Sequence, residues 1–295
     1  MRIVTIGEIL WDVFPDGERL GGAPFNFSAH AARLGHEVRF LSAVGDDPRG
    51  HAALESARVL GLSTEFLRLT PGAPTGVVSV SLDPQGVPSF TIHRPAAYDN
   101  LRLSPVDLEA LARFEPHVVY FGTLHQTTPE AKALTRLVIE ACPQARRFYD
   151  VNLRPESYNL ILLEELLLLA DVVKLNADEA VELSRLFGVP FTSVRQFCEY
   201  WSERCGWEIA AVTLGEKGCA IFGDGEWVEA PGYPVEVSDT VGSGDAFAAA
   251  LVHGLSMGWP LAQVADLGNR VGALVASRPG AVPPWTLDEC QALTR

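Results

Sequence analysis

Runs that read as buried strands alternate with helical segments along most of this chain, and parallel βαβ units are the architecture that satisfies such an order. Residues 3–9 read as a first core strand, 29–34 as the body of a helix stopped by Gly35, 38–44 as a second strand and 50–60 as a helix stopped by Gly61. The order then breaks. Residues 76–82 and 89–93 are two short strands joined by Asp83-Pro84-Gln85-Gly86, a hairpin, and 10–14 before the turn at Pro15-Asp16-Gly17 can pair with it. A hairpin inserted in an α/β run belongs outside the parallel sheet, so a small lid sheet is expected. Alternation resumes with strands at 118–121, 147–149, 172–175, 209–213, 218–222 and 227–230, and helices at 129–141, 160–169, 177–186 and beyond Gly244. In open sheets of this kind ligands sit beyond the carboxyl ends of the strands.

The 295 residues, 47% hydrophobic and 20% charged, suffice for one large core, so 1–295 is read as one domain with lid segments at about 10–20 and 76–98. A net charge of −14 argues against a nucleic-acid or anionic-membrane surface and leaves small molecules as the expected partners. Cys142, Cys198, Cys205, Cys219 and Cys290 are scattered, with no Cys-x-x-Cys pair, which suggests neither a disulfide framework nor a zinc site. The N-terminus enters a strand without a signal-peptide pattern, and the apolar run 160–170 is interrupted by Glu164 and Glu165 and too short for a bilayer; the cytoplasm is the expected compartment.

Asp239-Thr240-Val241-Gly242-Ser243-Gly244-Asp245 runs straight into the apolar helix Ala246-Phe247-Ala248-Ala249-Ala250-Leu251. Gly242 and Gly244 permit a tight turn whose N–H groups converge on an anion at a helix N-terminus, with Asp245 beside it. A carboxylate there suits proton removal from an alcohol attacking a nucleotide γ-phosphate. The plainer reading is a turn in which Ser243 or Asp245 caps the helix. Neither a Walker loop nor Gly-x-Gly-x-x-Gly is present.

Other polar groups fall at strand ends. Asp12 and Gly21-Gly22-Ala23-Pro24-Phe25-Asn26 offer bare backbone, an acceptor and an amide for several hydroxyls, or simply a capped glycine loop. Asp150-Val151-Asn152-Leu153-Arg154 follows a strand, and Asp150, Asn152 and Arg154 share one side if the extended conformation persists. Arg94 is a second cation at the lid base, with His93 read as a lid residue rather than a base. Asn176 and Glu179 have the spacing of a capping box, or hold Mg²⁺ through water near the nucleotide phosphates. Thr213-Leu214-Gly215-Glu216-Lys217-Gly218 is either a hairpin turn or a glycine approach to a polyphosphate.

Taken together, in this order and over essentially the whole chain, these motifs resemble the ribokinase-like (PfkB) family of carbohydrate kinases. The resemblance implies a three-layer α/β/α ribokinase-like fold with a mostly parallel central sheet and a small β lid. It implies ATP-dependent phosphorylation of a primary hydroxyl, with Asp245 as base and the N–H groups of Val241, Gly242, Ser243, Gly244 and Asp245 as the anion hole. It assigns the sugar to Asp12, Gly21, Gly22, Asn26, Arg94, Asn152 and Arg154. ATP and Mg²⁺ fall to Asn176, Glu179, Thr213, Gly215, Gly218 and Asn269, the last on the adenosine wall. A K⁺ loop would draw on Asp239, Val241, Ala273 and Gly280. Family members often dimerise through the lid.

Within the family, Gly-Glu-Ile-Leu-Trp-Asp at 7–12, the glycine loop and Asp-x-Asn-x-Arg look most like fructokinases, which implies the C6 hydroxyl of fructose as acceptor. The 2-keto-3-deoxygluconate kinases share much of this but commonly carry tyrosine before the arginine matching Arg94, where this chain has His93; Arg94 and Arg154 still suit a carboxylate. Other sugar or nucleoside kinases and a non-catalytic sugar binder are the further alternatives. Ser243 replaces the usual alanine, and Val151 the usual proline of Asp-Pro-Asn.

Overall fold

The computed structural model describes residues 1–82 and 88–295. The chain opens with β1 (Arg2–Ile6), β2 (Leu10–Phe14), β3 (Gly17–Gly21) and α1 (Ala23–Arg33). Next come β4 (Glu37–Gly45), α2 (Pro48–Val59), β5 (Leu67–Thr70), β6 (Gly76–Leu82), β7 (Pro88–His93), α3 (Pro105–Phe114), β8 (Val118–Gly122) and α4 (Pro129–Ala141). β9 (Arg146–Asp150), α5 (Leu160–Leu169), β10 (Val172–Asn176), α6 (Ala177–Phe187), α7 (Val194–Cys205) and β11 (Ile209–Thr213) continue the alternation. The last stretch holds β12 (Cys219–Gly223), β13 (Glu226–Ala230), α8 (Ser243–Ser256), α9 (Leu261–Ala276) and α10 (Leu287–Ala292).

Nine strands form the central sheet in the order β13-β12-β11-β10-β9-β8-β1-β4-β5. Its pairings are parallel from β11 to β5, and the β11–β12–β13 meander is antiparallel. Successive side chains point to opposite faces. Ile3, Phe40, Tyr120 and Phe148 therefore pack with α1, α2, α8 and α9, whereas Val4, Leu41, Phe121 and Tyr149 pack with α3 to α7. A strand buried on both faces reads as a continuous apolar run, which is why these strands stand out in the sequence. The result is a three-layer α/β/α fold.

The lid is a separate four-stranded sheet, β3-β2-β6-β7. β2 does join the hairpin strands, lying parallel to β6 with Asp12 opposite Val78, and it pairs antiparallel with β3, where Asp12 faces Arg19. The expected turn at Asp83–Gly86 lies outside the described residues. The lid rises from the end of β1 and returns through β3 into α1, so Asp12 and the glycine loop are carried by one continuous excursion. Among the described residues no helix is long and apolar enough to cross a membrane.

Candidate active site

Helix α8 begins without a side-chain cap. Its N-cap is Gly242 in the left-handed region (φ 80°), so neither Ser243 nor Asp245 serves as the cap. A Cβ at 242 would stand 2.2 Å from the Ala281 carbonyl oxygen, which leaves glycine as the residue that fits. Of the five N–H groups expected to point at an anion, two are engaged by the turn itself: Val241 donates to Asp239 Oδ1 (3.0 Å) and Ser243 to the Thr240 carbonyl (3.3 Å). Gly242, Gly244 and Asp245 have no acceptor among the described residues. The cradle is thus three donors at a helix N-terminus, narrower than the sequence suggested.

Ala281, the wall behind Gly242, is itself fixed. The His30 ring on α1 is fully buried and donates from Nε2 to the Ala281 carbonyl (3.0 Å), while Nδ1 accepts from Trp285 Nε1 (3.1 Å). Burial holds the His30 pKa down at about 4, so the neutral ring that this pattern needs is maintained.

Asp245 sits in the first turn of α8 and is buried. Asn26, from the first turn of α1, donates Nδ2 to its Oδ2 at 2.8 Å; Asn26 Oδ1 has no partner among the described residues. Burial raises the Asp245 pKa to about 6, Asp150 adds to this, and Lys174, Asn26 and Arg154 oppose it. Asp12 is likewise raised to about 6 by burial, against Arg154 and Arg19. Gly22, the N-cap of α1, packs so closely that a Cβ there would lie 2.6 Å from the Glu8 carbonyl.

The segment after β9 departs from the expectation. Extension ends at Asp150, because Asn152 adopts a positive φ of 35°, and the three polar residues do not share a side. Asp150 is fully buried, accepting from Lys174 Nζ at 3.2 Å on each oxygen and from Tyr120 OH at 3.0 Å. Arg154 is exposed and has no carboxylate partner among the described residues, although its charge acts on Glu8, Asp12 and Asp245. Arg94 is committed elsewhere: it forms a two-pronged pair with buried Asp99 and donates to the Leu124 carbonyl at 3.1 Å. His93 lies exposed on the lid against Ser79. A cleft of about 530 Å³ lined by Asp47, Arg49, Thr75, Val77, His93 and Arg94 opens between lid and body and does not include Asp245.

Asn176 and Glu179 do form the capping box, with Asn176 Oδ1 accepting from Glu179 N (2.9 Å) and Glu179 Oε2 from Asn176 N (2.7 Å). Glu179 Oε1 also accepts from Leu153 N (2.8 Å), tying the loop after β9 to α6. Each of these oxygens keeps a lone pair, which suits a hydrated Mg²⁺ held through water better than a direct cage. Thr213 ends β11, and Gly215–Lys217 is a closed 3₁₀ turn with Leu214 N bonded to the Gly218 carbonyl at 2.8 Å. Asn269 donates to the carbonyls of Ala230 (3.0 Å) and Pro231 (3.2 Å), pinning α9 to the end of β13. Asp239 Oδ2 accepts from Gly280 N (3.2 Å), so Asp239, Val241 and Gly280 do come together. Ala273 differs: it lies within α9, and its carbonyl already accepts from Ser277 N (3.0 Å).

Two residues escaped the sequence reading. Lys174 interrupts the apolar run of β10, is 6% exposed, and lies under the cradle: a Cβ on Gly244 would be 3.0 Å from its Nζ. Burial penalises its ammonium, but Asp150, Glu179 and Asp245 outweigh that and hold its pKa above the usual lysine range. Glu8 follows β1 and is 3% exposed, its pKa raised to about 7 by burial. A charge inside a core strand, or at its carboxyl end, was the available signal for both.

The chain as a whole is similar to known proteins. The family model for the pfkB family carbohydrate kinases matches residues 12–287. The uncharacterized sugar kinase PH1459 of Pyrococcus horikoshii is 31% identical over 95% of this chain and 91% of its own. A fructokinase from Escherichia coli is 31% identical over 95% of both chains. The aminoimidazole riboside kinase of Salmonella typhimurium is 30% identical over 95% of this chain and 91% of its own. The crystal structure of PH1459 in complex with ATP superposes with a TM-score of 0.82, covering 98% of this chain and 99% of that one. With the family model matching nearly its whole length and a relative 31% identical over 95% of it, this chain belongs to the pfkB family of carbohydrate kinases.

Proposed function

We propose that this ATP-dependent sugar kinase is a fructokinase that transfers the γ-phosphoryl group of ATP to the C6 hydroxyl of fructose, with Asp245 as general base. The observation that carries the reading is a buried carboxylate at the uncapped N-terminus of α8, beside three N–H donors with no acceptor among the described residues and held by Asn26 from the glycine loop. The C6 oxygen forms a bond to the γ-phosphorus as the bond from that phosphorus to the β,γ-bridging oxygen breaks. The hydroxyl proton passes to an Asp245 oxygen, and ADP leaves. The free N–H groups stabilise charge on the transferring oxygens, where preorganised dipoles act most strongly. Mg²⁺ carried with the nucleotide would neutralise phosphate charge, and water bound to Asn176 and Glu179 would hold it. The turn at Thr213–Gly218 and Asn269 would flank the nucleotide on the β11–β13 side, and K⁺ would order the Asp239 loop.

The acceptor side favours a neutral sugar. The charge of Arg154 acts on Glu8, Asp12 and Asp245, whereas Arg94 with Asp99 and Lys174 with Asp150 are closed pairs. Three carboxyls beside Arg154, which has no carboxylate partner among the described residues, disfavour an anionic substrate. The second reading, a 2-keto-3-deoxygluconate kinase, rests on that same Arg154, whose guanidinium is open to a carboxylate. Initial rates with ATP and Mg²⁺ across fructose, 2-keto-3-deoxygluconate, ribose and adenosine decide: fructose should lead in kcat/KM by at least about tenfold, and a lead for the acid sugar would transfer the assignment.

Gly242→Ala tests the cradle. The added methyl must move either the turn or the Ala281 carbonyl, and the φ of 80° is unfavourable for alanine. A loss in kcat of about a hundredfold to a thousandfold is expected, the size of losing one aligned donor, with thermal unfolding still cooperative. Wild-type kcat in this variant would mean that the turn does not hold the transferring group.

A further inference from the structure

Glu8 has no task in the reaction described above, yet its surroundings specify one. It stands in the turn between β1 and the lid, 3% exposed, and its Oε2 has no hydrogen-bond partner among the described residues. Its carbonyl forms the floor under Gly22, so it lies against the glycine loop that delivers Asn26 to Asp245. The charged groups that act on it come from three other segments: Arg154 after β9, Asp245 on α8 and Arg94 after β7, with the buried Tyr98 also within range of its charge. Asn26 Oδ1, in the first turn of the helix that this loop opens, is a second buried acceptor without a partner among the described residues.

Folded chains rarely leave buried acceptors unpaired, and two around one loop point to a missing set of donors. Hydroxyl groups supply donors; a carboxylate supplies none. We infer that Glu8 is a specificity-determining residue whose carboxyl oxygen accepts a hydrogen bond from a non-reacting hydroxyl of the sugar, and that with Asp12 it turns anionic acceptors away. The inference rests on the neutral-sugar reading. A carboxyl with a pKa of about 7 keeps an accepting oxygen in either protonation state, so the contact does not depend on its ionisation.

A double-mutant cycle between enzyme and substrate tests it. Wild type, Glu8→Gln and Glu8→Met are assayed with fructose and with monodeoxy analogues that each lack one hydroxyl other than that at C6. With wild type, one analogue should lose about tenfold in kcat/KM, and in Glu8→Met that particular loss should vanish. The fructose KM of Glu8→Met should rise about tenfold with kcat within about threefold, the signature of lost ground-state binding. If Glu8→Met does not fold, Glu8→Gln decides, because it keeps the shape and removes the charge: its discrimination against 2-keto-3-deoxygluconate should narrow several-fold. Analogue losses identical in wild type and Glu8→Met, or an unchanged discrimination in Glu8→Gln, overturn the inference. A wild type that prefers the acid sugar defeats the neutral-sugar reading instead, and the cycle on that acceptor's own hydroxyls still tests the Glu8 contact.

Discussion

Asp245→Asn should lower kcat about a thousandfold while leaving the dissociation constants of fructose and ATP within about threefold. The substitution is isosteric, and an amide oxygen at 245 can still accept from Asn26 Nδ2, so the sugar loop stays where it is. What is lost is the site for the acceptor's proton. Because burial sets the Asp245 pKa near 6, wild-type kcat/KM should be level above about pH 7 and fall as pH drops through 6. Asp12, raised to about 6, protonates in the same window, so the acid limb should be steeper than one proton requires. The same shift makes a prediction of opposite sign for stability. A carboxylate whose pKa is higher folded than unfolded costs stability above its folded pKa, and that cost disappears below its unfolded value. Removing the charge should therefore stabilise the protein at pH 8 by about 1–3 kcal/mol, read by thermal unfolding. Steady-state kinetics and calorimetry on the one variant check both; an unchanged kcat removes Asp245 from the base role.

The parallel core was legible because strands buried on both faces become unbroken apolar runs, as in β1, β4, β8 and β11, and because Gly35 and Gly61 stop the intervening helices. What escaped was short or polar. β5 is four residues at the sheet edge, and β3 is a Gly-Glu-Arg-Leu-Gly ribbon whose partner, not its composition, makes it a strand. α3 and α7 carry Ser104 and Ser193 as side-chain caps, signals present in the sequence but overlooked beside stronger apolar periodicity elsewhere.

At the candidate site, the motif reading grouped Asp245, Asn26 and the glycine turn, and the structure brings the three together at the start of α8. It misjudged the segment after β9. Alternation describes a strand only while the backbone stays extended, and Asn152 ends that, leaving Asp150 to the interior and Arg154 to the rim. Spacing likewise gave no warning that Arg94 is held by Asp99, five residues ahead on a short 3₁₀ turn, because a pair formed across a bend has no periodic signature.

Lys174→Met should destabilise the protein by about 3–5 kcal/mol, the usual result of breaking a buried ion pair from one side. Asp150 is fully buried and would keep only the Tyr120 hydroxyl, so its negative charge would stand unneutralised beside Asp245 and Glu179. Burying two charges together contributes little net stability, whereas burying one alone is costly. It follows that Lys174→Met combined with Asp150→Asn should recover most of the loss in urea unfolding, because the amide oxygen at 150 still accepts from Tyr120. Activity should not recover with it. Lys174 Nζ lies directly beneath Gly244, and its positive charge adds to the field of the cradle from below at a distance where a low-dielectric interior screens poorly. The doubly substituted enzyme should therefore fold with near wild-type stability and turn over at least about tenfold more slowly. A single variant that unfolds at the wild-type urea midpoint would show that the buried pair is not held in the way its geometry implies, and full activity in the stable double variant would limit Lys174 to the fold.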